Sequence, residues 1–230
     1  AKKMTDVEGD SFFVAGEFEG TCRLGTIELT SNGTIDCFVA KMNTSDGSVI
    51  WARAFGGTGS DGCQSVHYLR STDTLALVGY TFSASIESFN ISARNPDGTT
   101  AEALILSVDG ATGSPNWGHI FGGDGDSTAW DVALGWDGKS MHVTGTYAGA
   151  GSYSGPSVVA QEEMNSFGGH DAFVLQVQLA DGQAQWFRTM GSDQPELGCT
   201  DTDNGATDTD GAGCAGYGSL ASLCGGYDDD

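Results

Sequence analysis

Residues 36–57 read DCFVAKMNTSDGSVIWARAFGG, and variants of this phrase return at 102–123 and at 171–191. Each copy begins with an acidic residue and carries a tryptophan at the same offset from it. The three tryptophans are Trp51, Trp117 and Trp186. A fixed period of this kind is typical of folds that are built from repeated supersecondary units.

A second phrase recurs between these copies, as SFFVAGEFEG at 11–20, TLALVGYTFS at 74–83 and SMHVTGTYAG at 140–149. The apolar runs in both phrases are short, rich in Val, Ile, Phe, Tyr and Trp, and bounded by Gly, Asp, Asn and Ser. This composition is typical of β-strands that are separated by turns. Around the first tryptophan it predicts four strands, near 36–42, 49–56, 63–70 and 74–82.

Four antiparallel strands per repeat is the composition of a β-propeller blade, which must stack on its neighbours to bury both faces. We therefore predict an all-β repeat domain over residues 1–195. Its units cover about residues 1–20, 24–83, 90–149 and 158–191. On this division the chain begins and ends in mid-unit, which favours an arc of a larger propeller or polymer. The alternative is a closed threefold body, such as a β-prism or a β-trefoil.

The repeated aromatic residues are expected in the core of each unit. They occupy equivalent positions, and large aromatic side chains contribute strongly to packing. The alternative for the tryptophans is an exposed position, where they would stack on sugar rings. The predicted core residues are Trp51, Trp117, Trp186, Phe55 and Phe121.

The pattern D-x-F-V-x-K, followed by G-x-x-x-W-x-x-x-F-G-G and then by V-x-G-x-F, resembles the bacterial-type β-propeller repeat family. The resemblance covers roughly residues 1–195 and departs from the family pattern at MGSDQPELG, residues 190–198. It implies a repeat architecture in large secreted or surface proteins. It implies no particular chemistry, because a fold is not a function.

The charge of the chain is strongly acidic. Nine Lys and Arg residues stand against 31 Asp and Glu residues, so the formal net charge is −22. Nucleic acids and anionic membrane surfaces require clustered cations, so we expect neither as a partner. No apolar run is long enough to cross a bilayer, and we expect no membrane insertion.

The last segment, residues 196–230, differs from the repeats because it is rich in Asp, Gly and Cys and shows no strand period. The motifs DTDNGATD at 201–208 and CGGYDD at 224–229 resemble cysteine-rich modules, loosely sea-anemone-toxin-like, of secreted proteins from marine protists and algae. The later cysteines of that pattern are missing, so we expect a truncated module.

The carboxylates of this acidic segment supply the hard oxygen ligands that Ca²⁺ prefers. Their spacing does not complete the twelve-residue calcium loop, which favours hydrogen-bonded Asx turns over a calcium site. No other cofactor is expected. The residues of the calcium alternative are Asp201, Asp203, Asp208 and Asp210.

The six cysteines are expected to form disulfides if the protein is secreted. Cys22 and Cys37 flank a predicted hairpin around Asn32-Gly33, and we expect these two to pair. The cysteines of the acidic segment should pair within it or beyond it, whereas Cys63 has no evident partner. The three in the acidic segment are Cys199, Cys214 and Cys224.

Three N-x-S/T sequons begin at Asn32, Asn43 and Asn90, all near predicted turns where a glycan can project into solvent. They add to the expectation that the protein is extracellular, either secreted or at the cell surface.

We predict that the protein is not an enzyme, because none of its four histidines lies in a catalytic motif and no carboxylate pair stands out. The repeats and the two resemblances favour a structural subunit of an extracellular assembly, such as a flagellar hair (mastigoneme), a fibre or a surface matrix. Its partners would be copies of itself or other subunits. The alternatives are a glycan-binding or adhesive module and, after these, the non-catalytic part of a secreted hydrolase.

Overall fold

A computed structural model describes residues 1–5, 9–152 and 164–191 of the chain. These residues form β-strands throughout, together with a short 3-10 helix at Glu87–Phe89. The strands are β1 (Lys3–Thr5), β2 (Ser11–Leu24), β3 (Ile27–Asn43), β4 (Val49–Phe55), β5 (Asp61–Leu69), β6 (Thr74–Thr81), β7 (Ser85–Ile86), β8 (Ile91–Ser92), β9 (Glu102–Asp109), β10 (Pro115–Gly123), β11 (Ser127–Leu134), β12 (Ser140–Ser152), β13 (Met164–Gln178) and β14 (Ala184–Met190). The prediction of an all-β fold is confirmed for the residues that the structure describes.

Twelve of the strands form three antiparallel arrays of four strands, within which strands that follow one another in the array are hydrogen-bonded. Sheet I contains β1, β2, β3 and β4, sheet II contains β5, β6, β9 and β10, and sheet III contains β11, β12, β13 and β14. A short ladder between β10 and β12 joins sheets II and III at one end, through Gly122 and Gly123. The short strands β7 and β8 pair with each other in the connection between β6 and β9.

The predicted units are out of phase with these sheets by two strands. The predicted unit 24–83 placed β4 and β5 in one blade, but β4 ends sheet I and β5 begins sheet II. A sequence repeat gives the number of residues per unit, but it does not show which strand is the first of each sheet. The turn at 56–60 crosses between sheets: β4 pairs with β3 and β5 pairs with β6, and among the described residues no ladder joins β4 to β5. The predicted unit bounds therefore do not coincide with the sheets, each of which contains four strands.

The hydrophobic core consists of two layers between the sheets and a smaller one on the outer face of sheet I. Buried side chains of sheets I and II form one cluster, which includes Phe13 and Leu104. Buried side chains of sheets II and III form a second cluster, which includes Phe121 and Phe173. The sheets are therefore stacked in chain order, and sheet II is covered on both faces.

The outer face of sheet I is covered by part of the same sheet. Strands β2 and β3 continue beyond their contact with β1 and β4, and a bulge after Glu19 separates this extension from the main ladder. The turn of the extension approaches β4, because a Cβ on Gly25 would lie 3.8 Å from Val49. Leu29 of the extension packs against Phe38 of sheet I, and both are buried. We call residues 20–34 the hairpin flap.

The glycine of the repeated V-x-G phrase marks a close crossing of two strands. A Cβ on Gly79 would collide with the carbonyl oxygen of Gly62, and one on Gly145 would collide with that of Thr128. In both sheets the first strand bulges one residue after it pairs with this glycine. The bulged residues are Gln64 in sheet II and Trp130 in sheet III. The repeat thus preserves a bulge as well as four strands.

Candidate functional site

The acidic residue that begins each sequence repeat lies beside the glycine that ends the neighbouring strand. A Cβ on Gly56 would meet the carboxylate of Asp36, and a Cβ on Gly191 would meet that of Asp171. The Asp36 carboxylate is fully buried and accepts the backbone N–H of Asn32 at 2.9 Å. Burial raises the pKa of this carboxyl, although the backbone N–H groups partly oppose the shift. These acidic side chains therefore contact the loops at the ends of the strands.

Two of the repeated tryptophans fasten one sheet to the next. Trp51 of sheet I donates its indole N–H to the carbonyl oxygen of Gly110 at 3.3 Å. Trp117 of sheet II donates its indole N–H to the carbonyl oxygen of Leu179 at 2.9 Å. Gly110 and Leu179 lie at equivalent positions, each in the turn between the last two strands of the following sheet. We call each of these bonds a tryptophan staple.

The third repeated tryptophan, Trp186, lies on the outer face of sheet III. Its indole N–H makes no hydrogen bond within the part of the chain that the structure describes. Its ring lies 5.7 Å from that of His142, on the face opposite the core residues Val143 and Leu175. No described sheet follows sheet III, so the described residues supply no turn equivalent to those that Trp51 and Trp117 bind.

The predicted repeat core is thus divided. Trp51, Phe55 and Phe121 are buried, whereas Trp117 and Trp186 are only partly buried. Trp117 packs against the cluster between sheets II and III.

The outer face of sheet III is more polar than the equivalent face of sheet II. Where sheet II presents Ala76 and Val78 to sheet III, sheet III presents His142 and Thr144 outward. Met190, at the position of Phe121, is 54% exposed. This mixture of polar and apolar side chains resembles the surface of a protein that associates reversibly more than it resembles a domain core. We call this outer face of sheet III, which carries His142, Thr144, Trp186 and Met190, face III.

A groove of about 470 Å³ lies where the inner edge of sheet III meets the end of sheet II. Tyr80 and Phe82 of sheet II lie on one side, and Trp130 and Asp126 of sheet III lie on the other. The Trp130 side chain is 50% exposed, and its indole N–H donates to the hydroxyl of Thr146 at 3.0 Å. The Tyr80 hydroxyl donates to Glu17 at 3.2 Å. Burial, reinforced by this carboxylate, raises the pKa of Tyr80 to about 12.

The sequence prediction missed Trp130. The signal was present, because Trp130 stands outside the tryptophan repeat and replaces the equivalent Gln64 of the preceding unit. A β-bulge turns a side chain away from the regular alternation of a strand. The bulge places this tryptophan at the rim of the groove.

The first strands of the three sheets meet at a small polar cluster. The Ser65 hydroxyl donates to Asp131 at 2.5 Å, and the Lys3 ammonium lies 3.4 Å from the same carboxylate. Burial lowers the pKa of the neighbouring His67, an effect that Asp131 partly opposes. The cluster links the inner strands of the stack.

The expected Cys22–Cys37 disulfide is wrong. Cys37 is bonded to Cys63 with 5.0 Å between the Cα atoms, and Cys22 is a free thiol. The hairpin turns at Gly25, at a φ of 62°, and does not turn at Asn32-Gly33, so Cys22 lies opposite Leu29 and Cys37 lies opposite Glu17. Cys37 faces sheet II, and the disulfide therefore joins sheets I and II.

The three sequon asparagines differ in their surroundings. Asn32 and Asn90 are exposed, and Asn43 is partly buried with its side-chain oxygen accepting from Ser45. The Asn32 amide donates to the carbonyl oxygen of Gly56 at 3.4 Å. Glycosylation at these positions stays a prediction.

The remaining predicted positions lie outside the described residues. They are Cys199, Cys214, Cys224, Asp201, Asp203, Asp208 and Asp210. Within the described ranges, no group of three or more His, Cys, Asp or Glu side chains is arranged to hold a metal ion.

Comparisons with protein-family models and with curated proteins found no match to this chain. Among the described residues, no helix has the length and apolar character needed to cross a membrane.

Proposed function

We propose that this protein is a structural subunit of an extracellular assembly, such as a flagellar hair, a fibre or a surface matrix. Face III is the surface through which it contacts a neighbouring subunit. The observation that carries the proposal is the tryptophan staple. It joins sheet I to sheet II and sheet II to sheet III, and the equivalent Trp186 has no bonding partner among the described residues.

The proposal includes a finer description of the fold, in which the three sheets are consecutive blades of a β-propeller-like arc. Their order in the chain, their stacked core layers and their equivalent bulges support this description. Such an arc has two terminal faces. The hairpin flap covers the outer face of sheet I, whereas the described residues place no element over face III.

The chemistry of face III suits a contact with another copy of the chain. Met190, which is 54% exposed, and the partly buried Trp186 supply apolar surface. His142 and Thr144 supply polar groups at the same face. Tryptophan is enriched among the residues that dominate interface energies. Because sheet I is covered, we propose that face III of one copy packs on face III of another across a twofold axis, as the first step of assembly.

The test is sedimentation velocity of the full chain over a range of concentrations, with negative-stain electron microscopy of the concentrated samples. The net charge of −22 opposes association, so the runs should include high salt, which screens this repulsion. We expect a dimer in the wild type, because a twofold contact through a single face closes on itself, and weaker association in Trp186→Phe. The matched control is Trp117→Phe, which removes an internal staple and should associate normally while it remains folded. A chain that is monomeric under all these conditions, or a Trp186→Phe variant that associates like the wild type, would contradict the proposal.

A second candidate function is a glycan-binding or adhesive module of a larger surface protein. The exposed Trp130 and the groove beside it favour this candidate. The hydrolase alternative has no comparable observation in its support.

A further inference from the structure

The groove beside Trp130 presents a flat aromatic surface together with polar groups. Its walls belong to sheets II and III, which stack on a common core. About 470 Å³ is within the range of small-ligand sites in proteins. The groove is open to solvent and does not enclose its contents.

Trp130 is held in place before any ligand arrives. The bond from its indole N–H to Thr146 fixes the plane of the ring at the bulge in β11. No other aromatic ring packs against it in the described part of the chain, so half of its side chain remains exposed to solvent. A large apolar ring that is both exposed and fixed is a preorganised surface for a partner, because little side-chain entropy remains to be lost on binding.

The polar groups of the groove lie around this ring. One carboxylate oxygen of Asp126 accepts the backbone N–H of Ala101 at 2.8 Å, which orients the carboxylate and leaves its second oxygen without a donor among the described residues. Thr128 and the exposed His170 add further groups that donate and accept hydrogen bonds. Hydroxyl groups of a ligand would find partners on several sides of the tryptophan.

These features select one class of ligand. The groove contains no Lys or Arg among its lining residues, and Asp126 and the nearby Glu17 are acidic, so phosphate and sulfate esters are disfavoured. A purely apolar ligand would use none of the hydrogen-bonding groups around the ring, the exposed Asp126 carboxylate among them. A pyranose ring has an apolar C–H face and a rim of hydroxyl groups, and it matches both the indole surface and its surroundings.

We propose that this groove is a saccharide-binding site, in which one pyranose residue of an uncharged glycan stacks on Trp130 and donates a hydroxyl hydrogen to Asp126. This site is separate from the Trp186 contact at face III. It therefore does not depend on the proposed assembly.

The test is saturation-transfer NMR with the full chain and a panel of uncharged oligosaccharides that contain glucose, galactose, mannose or N-acetylglucosamine. The affinity of the best ligand is then measured by isothermal titration calorimetry, because the key variant removes the tryptophan itself. We expect transfer to the ring protons of one saccharide class, and a loss of affinity of about tenfold or more in Trp130→Ala. The matched control is Trp136→Ala, which removes a fully exposed tryptophan outside the groove and should bind normally.

Two further variants separate the roles of the groove residues. Asp126→Asn should weaken binding less than Trp130→Ala, and Thr146→Val should weaken it by releasing the indole while the tryptophan is kept. Circular dichroism checks that each variant is folded. The proposal is overturned if no member of the panel binds, or if Trp130→Ala binds as tightly as Trp136→Ala. Trp186→Phe should not change saccharide affinity, so failure of the assembly would leave this result intact.

Discussion

The indole N–H of Trp117 donates to the carbonyl oxygen of Leu179 at 2.9 Å, and this bond connects the last strand of sheet II to a turn of sheet III. Trp51 makes the equivalent bond to Gly110. The repeated tryptophan therefore has a role that one repeat cannot show alone. Its indole N–H bonds to the next sheet, and its contribution to stability therefore depends on whether another sheet follows.

Replacement of the repeated tryptophans by phenylalanine should separate internal from terminal positions. Trp51→Phe and Trp117→Phe each lose a hydrogen bond and should lower the free energy of unfolding by about 1 kcal/mol or more. Trp186→Phe loses no bond within the described residues and should leave the stability of the monomer nearly unchanged. Urea denaturation of dilute samples measures all three. An equal decrease in the free energy of unfolding for all three variants would show that the tryptophan staples do not stabilise the fold.

The repeat could be predicted from the sequence, but the grouping of its strands could not. The predicted strands near 49–56, 63–70 and 74–82 correspond to β4, β5 and β6, because alternation and turn residues are local signals. The assignment of β4 and β5 to different sheets depends on contacts between distant residues. It is seen in the strand pairing, since β4 pairs with β3 and β5 pairs with β6, and in the stacking of sheets I and II.

The disulfide provides a second prediction. Cys37 and Cys63 join sheets I and II, and replacement of both by serine should lower the free energy of unfolding by about 3 kcal/mol, as expected for a loop of this length. Cys22→Ser should have little effect, since that thiol is only partly buried and unpaired. Peptide mapping under non-reducing conditions identifies the pair, and a Cys22–Cys37 peptide would contradict the structure.

The error in the cysteine pairing also has a physical cause. Asn32-Gly33 is a strong turn signal, and it placed the expected hairpin there. In the structure Gly33 is needed for another reason, since a Cβ at this position would collide with the carbonyl oxygen of Gly59. A glycine required for close packing between segments looks the same in the sequence as one required for a turn. The groove residue Trp130 was missed for a related reason, because its exposure depends on a bulge.

Substitution of the V-x-G glycines tests the crossing of the inner strands. Gly79→Ala places a Cβ against the backbone carbonyl of Gly62, and neither strand can move without loss of its ladder. We expect a destabilisation of about 3 kcal/mol or more. Gly169→Ala is the control, because nothing lies within 4 Å of the position of its Cβ. Thermal denaturation compares the two, and similar melting temperatures would contradict the assignment.

The stability of the chain should depend on pH through His119. Burial lowers the pKa of this imidazole, although its contact with Asp181 partly opposes the shift. The unfolded chain, with an ordinary histidine pKa of about 6.5, therefore binds more protons than the folded chain at mildly acidic pH. The free energy of unfolding should fall as the pH drops from about 7 towards 5.

In the variant His119→Gln the free energy of unfolding should depend less on pH. Part of the dependence that remains should come from His67, whose pKa is also lowered by burial. Denaturant titrations of both proteins at several pH values measure the slopes. Identical slopes would show that His119 does not contribute.

The central claim is that face III is the contact surface of the assembly, and hydrogen–deuterium exchange of the associated and dilute chain tests it most directly. In the associated sample we expect slower exchange in peptides from β12, β13 and β14, and unchanged exchange in the hairpin flap. Exchange should return to the dilute pattern in Trp186→Phe and should remain slow in Trp117→Phe. Slower exchange in the flap alone, or no difference at sheet III between associated and dilute samples, would contradict the account.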